Sequence, residues 1–179
     1  MQAGGEVWFA DETALREFPP LRAAWAKRGQ QAQVVISGRN ARRVVHGALN
    51  IGSGDFVGVV RERSRGADTV ALVDALGAGQ PGVPRLVVWD NAPAHGTRLV
   101  REALAATGIR LARLPFRSPE LNPCEDLWRH LKARVAANRT YPNVEELATR
   151  ALAWLEACTP EQRLRAAGLH SPKFHWLST

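Results

Sequence analysis

Cysteine, lysine and long apolar runs are all scarce in this chain of 179 residues. Its two cysteines, Cys124 and Cys158, form no close ligand pair. They also make no zinc-site spacing with His46, His95, His130, His170 or His175, which leaves two reduced, packed thiols as the expectation. No apolar run approaches the roughly 20 residues of a membrane span, and the N-terminus has no signal-peptide core. A cytoplasmic location without a membrane partner is therefore expected. Internal repeats, low-complexity blocks and a convincing helix-turn-helix pattern are missing too. Lysine occurs only as Lys27, Lys132 and Lys173, so the positive charge is carried almost entirely by arginine.

That charge is substantial. Lys and Arg number 24 against 17 Asp and Glu, a formal net charge of +7. The excess is local: Arg39, Arg42, Arg43, Arg61, Arg63 and Arg65 are set against Asp55 and Glu62, and residues 110–139 carry seven bases against three acids. A planar guanidinium can donate two parallel hydrogen bonds to phosphate. Charge alone leaves nucleic-acid binding and ordinary solubility both open. An apolar content of 45% argues against general disorder, and the length suits one domain spanning 1–179.

Three acids stand out within this basic chain. Asp11 closes the apolar run Val7-Trp8-Phe9-Ala10, Asp90 closes Leu86-Val87-Val88-Trp89, and Glu125 opens a helical segment 34 residues beyond Asp90. Both apolar runs read as buried strands, which hold their ends rigidly, so acids placed there can converge on divalent metal ions. Hard carboxylate oxygens suit Mg2+, and crowded carboxylates repel one another unless a cation offsets them. This pattern points towards metal-dependent phosphodiester chemistry on nucleic acid.

The remaining elements follow from periodicity and turn residues. Strands are predicted over 6–10, 34–36, 43–49, 56–60, 85–89 and 109–112, with an irregular excursion over 15–30 marked by Pro19-Pro20 and Lys27-Arg28-Gly29. Helices are predicted over 67–76, 97–106, 123–137, 144–157 and 161–166. An antiparallel hairpin beside a parallel βαβ unit gives an α/β fold, a mixed five-stranded sheet flanked by helices. Trp8, Trp89 and Trp128 are expected in the core. Trp25 and Trp176 lie in irregular segments, where local packing is the plainer reading and stacking on bases the alternative.

The helix bearing Glu125 starts with a dense signal. Asn122 can cap, Pro123 fits the first turn, and Glu125 falls at the third helical position. Glu125 could therefore be only the acidic half of a capping box. On the helical wheel, Cys124, Leu127, Trp128, Leu131 and Val135 form the core arc, while Glu125, Arg129, Lys132 and Ala136 form a separate stripe at its edge. Arg129 and Lys132 either pair with Glu125 or hold a phosphate backbone beside the metals. Strand alternation turns Glu12 to the face opposite Asp11, which argues against it as an auxiliary ligand. His95 is a candidate for positioning the metal loop or a phosphate, and Asn91 for shaping the turn.

Residues 89–95, Trp-Asp-Asn-Ala-Pro-Ala-His, and 114–132, from Leu114-Pro115-Phe116-Arg117-Ser118-Pro119 through Glu125 to Lys132, resemble the catalytic (DDE) domain of IS630 and Tc1/mariner superfamily transposases. Phe9-Ala10-Asp11-Glu12 is similar to the segment bearing that family's first acid, and the Asp90–Glu125 interval fits its spacing. The resemblance implies an RNase H-like fold in which Asp11, Asp90 and Glu125 bind two Mg2+ ions, with Mn2+ as a substitute. It implies hydrolysis of double-stranded DNA at transposon ends and joining of the 3′ hydroxyl to a target, typically TA, by a homodimer in a synaptic complex. Arg117, Arg129 and Lys132 become DNA-backbone candidates. The helix-turn-helix region usual in the family is absent from the predicted elements. Competing readings are a related RNase H-like nuclease and a non-catalytic DNA-binding or assembly remnant of a broken or split element.

Overall fold

The structure, a computed structural model, describes residues 4–36, 38–79 and 81–177. Its centre is a five-stranded sheet built from β1 (Glu6–Arg16), β2 (Arg42–Asn50), β3 (Phe56–Arg61), β4 (Arg85–Trp89) and β5 (Arg110–Arg113). Spatial order is β3-β2-β1-β4-β5. The β1–β2 and β2–β3 pairs are antiparallel, whereas β1–β4 and β4–β5 are parallel. This is the mixed sheet expected of the sequence. Helix α1 (Gly66–Gly77) leads from the hairpin to β4, and α2 (Arg98–Thr107) forms the β4–β5 crossover. Then come α3 (Pro123–Leu131), α4 (Val144–Ala157) and α5 (Pro160–Ala166).

Strand alternation divides the apolar side chains between two faces. Phe9, Val45 and Leu49 meet Leu127, Trp128 and Leu131 of α3 and Leu147, Ala151 and Leu155 of α4. On the other face, Trp8, Ala10, Ala48, Val87 and Trp89 meet Leu72, Val73 and Leu76 of α1 and Val100 and Leu104 of α2. The predicted core tryptophans Trp8, Trp89 and Trp128 are all buried.

Four expectations need correction. First, β1 does not end at Ala10. It runs to Arg16 because β2 pairs with it over its whole later length, from Trp8↔Asn50 to Arg16↔Arg42. Second, Val34–Ile36 is no strand: the triplet lies in an irregular connection with Val35 and Ile36 exposed, and no neighbouring strand supplies a ladder. Third, the helix that opens at Pro123 stays α-helical only to Leu131 and continues as a π-helical turn over Lys132–Ala136. The wider turn rotates later residues, so Ala136 joins the core instead of the Glu125 stripe. Fourth, Trp25 finds no local packing and is fully exposed in the connection between β1 and β2. Trp176 instead lies against Phe174, with ring centroids 6.3 Å apart.

Candidate active site

The last β1–β4 pair is Phe9↔Val88, and extending that register by two residues sets Asp90 level with Asp11. Phe9 and Val88 belong to the α3 side of the sheet, so alternation turns both aspartates to that side. The third acid is carried there by α3. Its N-terminus is pinned to β1 just before Asp11: Asn122 Nδ2 donates to the Ala10 carbonyl (3.1 Å), and Cys124 Sγ donates to the Phe9 carbonyl (3.0 Å). The Asn122 side chain also caps α3 by accepting the Cys124 N–H.

Asp11, Asp90 and Glu125 line one cavity of about 290 Å³, together with Asn91, Asn122 and the loop from Leu114 to Pro119. The structure thus gathers the three predicted acids from β1, the end of β4 and the start of α3. They share a cavity but do not form a closed cage: among the described residues, no three His, Cys, Asp or Glu side chains could hold a metal ion together. Each aspartate is tied to a donor of its own. Trp128 Nε1 donates to Asp11 Oδ2 (2.9 Å), and Asp90 Oδ1 accepts the Ala92 N–H (2.9 Å) and lies 2.8 Å from His95 Nδ1.

Burial pushes the Asp11 carboxyl up to about 8, and the charges of Glu125 and Glu12 push in the same direction; the Glu12 backbone N–H and the Trp128 indole only partly oppose them. Half-buried Lys132 is lowered by burial, against the pull of Glu125 and Asp11. The cavity therefore holds negative charge that its protein neighbours do not fully compensate. Its titratable lining contains oxygen donors and Arg117, with no His or Cys, a donor set that suits a hard cation such as Mg2+ or Mn2+.

The auxiliary candidates separate. Asn91 Nδ2 donates to the Leu114 carbonyl (2.7 Å), tying the end of β4 to the loop after β5. Arg117 stands on that loop in a left-handed conformation (φ 57°), with its guanidinium 5.3 Å from the Phe116 ring centroid. Arg129 pairs with Asp126. Asp126 is itself buried and also binds Lys173 (2.8 Å), so the structure ties Arg129 into an anchor for the C-terminal segment. His95 is buried, stacked on Trp89 at 4.3 Å, and its Nε2 lies 2.9 Å from Glu12 Oε1.

Two contributors escaped the sequence reading. Trp128 was expected only as core, yet its indole N–H reaches Asp11. Gly47, the cross-strand partner of Asp11, makes that possible: a Cβ there would lie 2.6 Å from the Trp128 ring and 2.8 Å from Phe56. The signal for both lies in strand pairing rather than in any local motif.

The model of the family described as DDE superfamily endonuclease matches residues 6–148. The chain belongs to this family. Relatives agree: the insertion element IS630 uncharacterized 39 kDa protein of Shigella sonnei is 27% identical over 156 residues, 86% of this chain and 46% of its own. The transposable element Tc3 transposase of Caenorhabditis elegans is 44% identical over 59 residues, 32% of this chain and 18% of its own. The fold is similar to that in the crystal structure of the mariner Mos1 paired end complex with Mg, with a TM-score of 0.70 at 18% identity, covering 95% of this chain and 53% of the other. The chain spans about half the length of the IS630 protein and of the Mos1 chain. As a member of the DDE superfamily endonuclease family it has the RNase H-like architecture. Among the described residues, no helix is long and apolar enough to cross a membrane.

Proposed function

We propose that this chain is the catalytic core of an insertion-element transposase, acting as one domain on double-stranded DNA. Its reaction would be hydrolysis of a phosphodiester at the element's ends followed by joining of the 3′ hydroxyl to a target such as TA. The observation that carries this reading is the convergence of Asp11, Asp90 and Glu125 on one cavity whose most buried acid is held up to about 8. Family membership and the likeness to the Mos1 complex support it.

Asp11, Asp90 and Glu125 would hold two Mg2+ ions, for which Mn2+ can substitute. Bound there, the pair would supply activation of the attacking oxygen and stabilisation of the leaving oxygen. The chain's own residues fix where that can happen. β1 and β4 set two acids side by side, and the Asn122 and Cys124 bonds to β1 hold α3 so that Glu125 lines the same cavity. Arg117 at the cavity wall is suited to a backbone phosphate, and the charge of Lys132 lies within reach of Glu125 and Asp11. A homodimer pairing two DNA ends, in the bacterial cytoplasm, is the assembly this reading implies.

The test is cleavage and joining on labelled duplex DNA with Mg2+ or Mn2+. Products of both steps, lost in Asp90→Ala, are expected. Cleavage without joining would reassign the chain to a nuclease, and metal-independent DNA binding alone would make it a non-catalytic remnant.

A further inference from the structure

A buried acid and imidazole lead around the end of the sheet to one of the site's acids. Glu12 points to the face opposite Asp11, where its cross-strand partner is His46. Its carboxylate lies between two fully buried imidazoles, with Oε1 2.9 Å from His95 Nε2 and 3.3 Å from His46 Nδ1. His46 is fixed in turn by its Nε2, which lies 3.0 Å from the Arg63 carbonyl. His95 sits in the 3₁₀ turn Pro93–Gly96 after β4, so its other nitrogen reaches around the sheet end to Asp90 Oδ1 at 2.8 Å. Both of its nitrogens thus face carboxylates, and Trp89 stacks on the ring. Arg113 closes the turn from outside by donating to the carbonyls of Asp90 and His95.

We propose that Glu12 is a positioning residue that orients the Asp90 carboxylate through the His95 ring. The inference rests on the reading of Asp90 as a metal-binding acid. Asp90 is half exposed just beyond a five-residue strand, and apart from His95 its carboxylate is held by the Ala92 N–H on the same Oδ1. An imidazole bonded to Glu12 through Nε2 and stacked on Trp89 sets a fixed ring 2.8 Å from that oxygen and limits how the carboxylate can turn. Partners of this kind behind a metal-binding acid typically change metal affinity by roughly 10–100-fold when removed.

The test is Mn2+ binding by calorimetry on the full chain, without DNA, for Glu12→Gln, His95→Ala and the double variant, with thermal unfolding as a control on folding. Folded Glu12→Gln is expected to bind Mn2+ about 10-fold more weakly. The double variant is expected to lose no more than His95→Ala alone, because Glu12 acts only through that ring. Wild-type affinity in folded Glu12→Gln, or additive losses in the double variant, would overturn the proposal. A measurement on the unmodified protein stands even if Glu12→Gln does not fold: Mg2+ addition should shift the His95 ring 15N resonances in step with metal uptake, and unshifted resonances count against the relay. Asp90→Ala separates the two readings. Affinity retained there overturns the metal site and this inference together, whereas affinity lost there but unchanged in Glu12→Gln overturns this inference alone.

Discussion

Asp11 is the residue on which the electrostatics turn. Its carboxyl is raised from 3.8 to about 8 in the folded chain, so between those values the native state binds a proton that the unfolded state has released. Stability of the metal-free protein is therefore expected to fall as pH climbs from about 4 to about 8. His46, also raised on folding through its bond to Glu12 despite burial, acts with the same sign as pH rises through its folded value. Melting in chelator at pH 5 and pH 8 checks this, with the lower melting temperature expected at pH 8. Mg2+ should recover stability at pH 8 far more than at pH 5, because only the ionised acid offers it a ligand. Replacing Asp11 by Asn is expected to flatten this pH dependence, raise the metal-free melting temperature at pH 8 and abolish cleavage. Replacing Trp128 by Phe removes the indole donor from Asp11 Oδ2, at a cost of about 1 kcal/mol for the hydrogen bond. Chemical denaturation measures that cost, and cleavage near neutral pH should fall as the acid becomes harder to ionise.

At the scale of elements, the site depends on how closely α3 can lie on β1 and β2. Gly47 is the permissive position, since any side chain there collides with Trp128 and Phe56. Gly47→Ala is expected to destabilise the fold by about 1–3 kcal/mol, the usual cost of overpacking a filled core. It should also displace Trp128 from Asp11, so activity falls even where the protein stays folded; denaturation and cleavage assays report the two effects separately. The N-terminus of α3 is the other sensitive joint. Asn122→Ala loses the cap, about 1 kcal/mol, together with the tie from Asn122 Nδ2 to Ala10. Glu125 is then expected to lose its fixed position, with cleavage falling more than stability.

For the whole molecule, charge is unevenly spread in function as well as in sequence. The net +7 coexists with a cavity of acids and a wall bearing Arg117. Binding of duplex DNA is expected to be salt-sensitive, with the logarithm of affinity falling linearly as the logarithm of salt rises, and nearly independent of sequence. Competition titrations with unrelated duplexes at several salt concentrations test this, and strong preference for one sequence would contradict it. Arg117→Ala should lower the salt slope and weaken all duplexes alike.

Much of this was legible in the residues themselves. Binary patterning gave the strands around Trp8, Val45, Val57 and Val87, and the Asn122 cap with Pro123 marked the start of α3, because both signals act over a few neighbours along the chain. The spacing of Asp11, Asp90 and Glu125, read with the motifs around them, gave the family. Where each acid's hydrogen bonds go was decided only in three dimensions. Pairing of β1 with β2 carries the strand past Asp11 and sets Glu12 opposite His46, the turn after β4 brings His95 between two carboxylates, and the π-helical turn after Leu131 buries Ala136. These contacts join residues far apart in the chain, 117 positions in the case of Trp128 and Asp11. Local sequence has no means to encode such partners before strand register and helix docking have chosen them.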